Sequence, residues 1–214
     1  MLNHKDSKIS DENATFYEYL ASKSQSQMTD EELVSGCISK NPSAQKLLFE
    51  KFSRKMMGVC LRYADRSEEA EDMLQNGFVK VFEKIETFRG SGSLEGWIRK
   101  IIVNESLTYL RKNKAMRLNI DIDDSKYMIP GNSHVGENMN EKDLLKMIQQ
   151  LPIGFRTVFN MYAIEGYSHK EIAEQLGISE GTSKSQYSRA RTHLQNMLKS
   201  ESVFAETLAD RKTV

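Results

Sequence analysis

Residues 168–197 read SHKEIAEQLGISEGTSKSQYSRARTHLQNM, and the order of caps and apolar residues in this stretch predicts two helices meeting at a tight turn. Ser168 and Glu171 have capping-box spacing, and Ile172, Ala173 and Leu176 fall on one helical face. Gly177 stands at the turn, and Ser179 can cap the next helix. A small residue such as Ala173 where two helices cross, with a glycine where the chain reverses, meets the steric demand of a helix-turn-helix. At about 100° per residue, Ser183, Tyr187, Ala190, Leu194 and Met197 form an inward stripe, with Gly181, Ser185, Ser188 and Thr192 opposite. Lys184 and Arg191 border one edge of that outer face, and Gln186 and Arg189 the other. Small polar residues between cations suit a major groove, because they allow close approach while the cations reach phosphates or guanine edges. A solvated surface helix would show the same grammar, so the reading depends on the rest of the chain.

Upstream of this stretch lies another helical region. Glu141, Leu144, Leu145, Ile148 and Leu151 precede Pro152, and Phe155, Val158, Phe159 and Tyr162 follow it at helical spacing. Before Glu141 the pattern fails: residues 118–140 are rich in Asp, Ser, Asn and Gly around Pro130-Gly131 and predict an acidic, flexible linker. Residues 29–117 again read as helices. Thr29 and Glu32 form a capping box ahead of Leu33, Val34, Cys37 and Ile38. Asn41-Pro42-Ser43 breaks the chain, and Leu47, Leu48, Phe52, Met56, Val59, Cys60 and Tyr63 then recur at three- and four-residue steps. Ser67 can cap a third helix with an acidic first turn and the stripe Ala70, Leu74, Phe78, Val81, Phe82 and Ile85. After the turn at Arg89-Gly90-Ser91-Gly92-Ser93 a fourth helix turns Leu94, Trp97, Ile98, Ile101 and Ile102 inward and ends in the basic run Arg111-Lys112-Asn113-Lys114. Residues 1–28 form a polar extension and 200–214 a tail. The fold class expected is all-α: two helical bundles joined by a flexible linker, the second containing the helix-turn-helix.

Composition agrees with this reading. The 214 residues carry 30 basic and 30 acidic side chains, so charge has to be read locally. Residues 1–32 hold seven acids against three lysines, while 94–117 hold six bases against Glu95 and Glu105. A second basic stretch, with Lys184, Arg189, Arg191 and Lys199 against Glu180, makes two separate anionic contacts the expectation. Only three prolines and twelve glycines argue against a turn-rich β chain. Cys37 and Cys60 have no histidine pair near them, so buried thiols are expected rather than a disulfide framework or a metal site. His4, His134, His169 and His193 are scattered, and no glycine loop with a lysine is present to cradle phosphate. Neither catalysis nor a cofactor is expected. The amino terminus shows no apolar core of a signal peptide and no stretch approaches the ~20 apolar residues of a membrane span, so no membrane insertion and a cytoplasmic location are expected.

At this point the chain resembles a known family, the extracytoplasmic-function branch of the bacterial sigma-70 factors. LPIGFRTVFNMYAIEGYSHKEIAEQLGISEGTSKSQYSRARTHL, residues 151–194, looks like the family's carboxy-terminal domain, which reads the promoter −35 element. LLFEKFSRKMMGVCLRYADRSEEAEDMLQNGFVKVFEKIETFRGSGSLEGWIRKIIVNESLTYLRKN, residues 47–113, is similar to the domain that binds core polymerase and opens the −10 element. The two matches stand in the family's order. The resemblance implies −35 contacts from Lys184, Ser185, Gln186, Ser188, Arg189 and Arg191. It implies −10 contacts from Arg89, Ser91, Arg99, Lys100, Asn104, Arg111 and Lys112. It also implies core RNA polymerase contacts from Asp72 and Gln75, promoter DNA as a partner and an anti-sigma factor as a further one. Family members usually place an aliphatic residue after Gly-Thr, where this chain has Ser183, and an arginine where it has Gln186. They also usually place an acid where it has Asn76. An autonomous helix-turn-helix regulator, which would need no first bundle, is the alternative.

Overall fold

The structure is a computed structural model that describes residues 28–118 and 141–211, with side-chain surroundings described for 28–113 and 142–199. All regular structure among the described residues is helical. The helices are α1 (Asp30–Ile38), α2 (Pro42–Tyr63), α3 (Ser67–Lys84) and α4 (Leu94–Leu118), then α5 (Glu141–Gln150), α6 (Ile153–Phe159), α7 (His169–Leu176) and α8 (Glu180–Arg211). A short 3₁₀ turn, Ile85–Thr87, follows α3, and one π-helical turn, Asn160–Ile164, follows α6. The polar extension up to residue 27 and the linker 119–140 lie outside the described residues. Helix α8 continues to Arg211, through most of the stretch that the sequence sets apart as a tail.

Local chemistry sets the helix starts. The Thr29–Glu32 capping box is formed, with the Glu32 amide 3.2 Å from Thr29 Oγ1 and the Thr29 amide 2.9 Å from Glu32 Oε2. Asn41 accepts the amides of Ser43 and Ala44 at 2.9 and 3.2 Å, so the break at Asn41-Pro42 is also the cap of α2. Ser67, expected as the cap of α3, is instead its first helical residue, and Glu69 reaches back to accept the Asp65 amide at 3.1 Å. The apolar stripes are mostly buried as the spacing predicts. Ile38 and Leu144, placed on inward faces by periodicity, are 41% and 42% exposed because each lies near an end of its helix stripe.

Close packing divides the described residues into two units, and the division cuts through α2, α3 and α4. One unit comprises the described part of Met1–Lys55 with Phe78–Ile101. Helix α1 packs there on the 3₁₀ turn, and Leu33, Leu48, Phe52, Phe78, Val81, Ile85, Leu94 and Ile98 are buried. Phe49 meets Phe78 edge to face at 4.8 Å, and Lys55 pairs with Glu95 at 2.6 Å.

The other unit comprises Met56–Gly77 and the chain from Ile102 onward. Met147, Leu151, Phe155, Ala190, Leu194 and Met197 form a core cluster with Phe159 against it, so α5 and α6 are held on α8. The carbonyls at the end of α2, which have no partners inside the helix, are taken by side chains about a hundred residues on. Gln149 donates to Leu61 O at 2.9 Å, Asn160 to Arg62 O at 2.8 Å, and Arg156 to Tyr63 O at 3.4 Å. Arg156 is 1% exposed and also pairs with Asp65 and donates to Gln149 O at 3.0 Å, while Arg62 pairs with Glu165. A buried guanidinium is tolerated when it is paired with a carboxylate and hydrogen-bonded, and both terminal nitrogens of Arg156 are so engaged while its Nε has no partner among the described residues. Both cysteines are buried, which pushes Cys37 up to about 11 and Cys60 up to about 12, against a smaller downward pull on Cys60 from Ser106.

Candidate nucleic-acid interface

The helix-turn-helix is set by caps at each end. Ser168 Oγ accepts the Glu171 amide at 3.2 Å while Glu171 Oε2 accepts the Ser168 amide at 2.8 Å, fixing the start of α7. Gly177 ends it at φ +68°, a left-handed position where a side chain would be strained, and its amide bonds Ala173 O at 2.9 Å. Ser179 Oγ then accepts the Thr182 amide at 2.9 Å and starts α8. Ser183, Ala190, Leu194 and Met197 are buried and Tyr187 half-buried, as the inward stripe predicts.

The outer face is narrower than the sequence implies. Lys184, Ser185, Ser188 and Arg191 are exposed and Arg189 is half-buried. Gln186, expected among the DNA contacts, is only 8% exposed, with its amide beside Gly154 of α6. Helix α8 packs against both α6 and α7, so the edge that carries Gln186 faces the protein. Lys184 Nζ lies 2.7 Å from Glu180, and its hydrogen bond and charge hold the Glu180 carboxyl below the usual range. The Arg191 guanidinium lies 5.9 Å from the Tyr187 ring. An aromatic group backs this face. His169 stacks on Tyr162 at 4.2 Å and 12°, Tyr162 meets Tyr187 at 4.5 Å, and His169 Nδ1 is 2.9 Å from Ser183 Oγ. The sequence reading gives His169 no task, since its partners are set by the fold rather than by spacing.

The second set of candidate residues lies on and before α4. Arg89 and Ser91 are exposed on the loop, and Ser93 Oγ accepts the Gly96 amide at 3.1 Å to start the helix. Lys100, Asn104, Arg111 and Lys112 are exposed. Arg99 is half-buried with its guanidinium 3.8 Å from Glu95. Asn104, Thr108 and Arg111 share one helix face, where Thr108 donates to Asn104 O at 2.9 Å and receives Arg111 at 3.1 Å. Trp97 is half-buried with its ring 5.6 Å from Phe88. On α3, Asp72 and Gln75 are exposed, whereas Phe78 is buried and Phe82 half-buried.

Two family models match this chain: sigma-70 region 2 over residues 48–116 and sigma-70 region 4 over residues 141–194. The ECF RNA polymerase sigma-E factor of Haemophilus influenzae is 29% identical over 184 residues, 80% of this chain and 96% of that protein. The chain belongs to the extracytoplasmic-function branch of the sigma-70 family. The RNA polymerase sigma-H factor of Pseudomonas aeruginosa is 26% identical over 80% of this sigma factor and 95% of its own length. Among solved structures, the sigma factor RpoE in complex with the anti-sigma factor NepR from Bartonella quintana matches with a TM-score of 0.46 and 24% identity. That match covers 72% of this chain and 96% of the other. A sigma factor directs RNA polymerase to promoters, and this chain carries the two regions of such a factor in order. No helix among the described residues is long and apolar enough to cross a membrane.

Proposed function

We propose that this sigma factor seats α8 in the major groove of the −35 element and that α4, with the loop before it, holds the −10 element as its strands part. The observation that carries the reading is the exposed line Lys184, Ser185, Ser188 and Arg191 on a helix whose opposite face is buried. Small side chains let the helix approach the bases, and the cations at its edges meet phosphates or guanine. Arg189 serves at the same face. At the other element Arg89 and Ser91 border a loop able to receive an extruded base, while Arg99, Lys100, Arg111 and Lys112 follow the backbone and Asn104 bonds a base edge or phosphate. Asp72 and Gln75, exposed on α3, are the polar contacts to core polymerase, setting registry and association rate.

In this reading catalysis stays with the polymerase, the protein works in the cytoplasm, and an anti-sigma factor is the further partner that the family implies. The domain division proposed is a region 2-like part over 29–117 and a region 4-like part over 141–199. A run-off transcription assay with purified core enzyme tests it. Promoter-specific transcripts should need both proteins together. Tight duplex binding without polymerase, and no transcripts with it, would make the chain an autonomous regulator.

A further inference from the structure

Ser183 is fully buried on the inward stripe of α8, in line with the apolar Ala190, Leu194 and Met197. A hydroxyl in such a place needs a partner, since an unmade hydrogen bond there costs more than a made one contributes. His169 supplies it, with Nδ1 at 2.9 Å from Ser183 Oγ. The imidazole is itself held from the other side by the face of Tyr162, at 4.2 Å and 12°. Tyr162 touches Tyr187, one turn beyond Ser183, and Tyr187 lies under the Arg191 guanidinium one turn further on. Ser183, Tyr187 and Arg191 are thus successive turns of one α8 edge, the first two gripped from the π turn and the start of α7 and the third resting on Tyr187.

The placement of this bond gives it leverage. Helices α7 and α8 are joined at Gly177–Ser179, and His169 is the first residue of α7, at the end remote from that joint. Seven residues separate it from Leu176, which puts it ~10 Å along the helix from the turn. Apolar contact between the helices is non-directional and tolerates small rotations of α8. A hydrogen bond across the open side of the pair does not, because its distance window is narrow. A rotation of roughly 15° would carry a side-chain tip about 5 Å from the helix axis by more than 1 Å, enough to break a base-edge hydrogen bond.

We infer that His169 is a positioning residue for −35 recognition: its bond to Ser183, with the ring held on Tyr162, fixes the rotation of α8 and thereby which bases Lys184, Ser185 and Ser188 meet. The inference rests on the −35 reading of α8 proposed above. Ser183 and His169 are then one feature, a polar pair on the otherwise apolar inward side of α8.

The test uses the full-length protein with core RNA polymerase on two promoter libraries, one randomised over the −35 element and one over the −10 element. His169→Phe keeps a ring on Tyr162 but turns carbon toward the Ser183 hydroxyl. It should lower discrimination between the best −35 sequence and its single-base variants by roughly tenfold, the factor about 1.4 kcal/mol of misplacement produces. Selection at −10 should not change. His169→Asn, whose amide reaches the place of Nδ1, should keep most of the discrimination. Ser183→Val alone should lower it in the same direction and tests the bond from the other side should His169→Phe fold poorly. The double variant His169→Phe/Ser183→Val replaces the polar pair by an apolar one and should return selection to within about twofold of wild type. Unchanged −35 selection in both single variants overturns the inference, as do additive losses in the double variant. So does a parallel loss at −35 and −10 that follows melting temperature. A wild-type protein that selects no −35 sequence with core enzyme would instead sink the −35 reading itself.

Discussion

Helices α4 and α8 both carry cations beside small polar side chains, yet the two lines are built differently. On α8 the residues around the basic face are held by neighbours: Lys184 by Glu180 at 2.7 Å, Arg191 by the Tyr187 ring, and Ser183 by His169 at 2.9 Å. On α4 the candidate residues Lys100, Asn104, Arg111 and Lys112 stand exposed on a single helix, with Thr108 linking Asn104 and Arg111 along its surface. The difference matches the two tasks proposed for them. Reading base edges in an intact duplex needs side chains placed beforehand, since each misplaced hydrogen bond loses discrimination. Holding strands that are coming apart needs cations and an amide that can follow a changing backbone.

Altering both Lys100 and Asn104 to alanine probes the looser helix and should give the largest effect. Transcription from a duplex promoter should fall roughly a hundredfold, because in the proposed mechanism the residues act only as the −10 strands part and unpairing costs a few kcal/mol. A template with a pre-melted mismatch across −10 should recover much of it, while binding to core polymerase is kept. Equal impairment on bubble and duplex templates would remove the contrast between the helices.

On the preset helix, Lys184→Ala or Arg189→Ala should weaken promoter-directed transcription by about 1–2 kcal/mol and flatten its dependence on salt, leaving core binding unchanged. Normal transcription by both variants at moderate salt would show that α8 is not the reading helix. Gln186→Ala should act in a third way. Because the amide is buried beside Gly154, the variant should lose about 1 kcal/mol of stability in a denaturant titration and keep the wild-type −35 preference. A changed base preference with unchanged stability would return Gln186 to the DNA face.

The smallest effect concerns the thiols. With Cys37 raised to about 11 and Cys60 to about 12 by burial, neither forms appreciable thiolate at neutral pH. Alkylation of the folded protein at pH 8 should be slow at both, and should become fast only on unfolding. Rapid labelling of either would show that its part of the core opens readily.

What the sequence determined by itself was everything that depends on neighbours within a turn or two. The Thr29 and Ser168 capping boxes, the break at Asn41-Pro42, the left-handed Gly177 and the inward stripe of α8 all follow from spacing, because helix geometry makes residues three and four apart share a face and an end. Even the exposure of Lys184, Ser185, Asn104 and Asp72 was legible in this way. Tertiary structure decided the rest. Gln186 left the outer face because α8 packs on two helices rather than one, and nothing within α8 records the presence of Gly154 across the gap. Arg156 became a buried partner of Asp65 and of the open end of α2, ninety residues away in sequence. His169 found Ser183 because the turn at Gly177 brings one helix back across the other. Periodicity tells which side of a helix is apolar, but which polar groups end up facing one another depends on the angle and rotation at which helices meet, and only the packed structure fixes those.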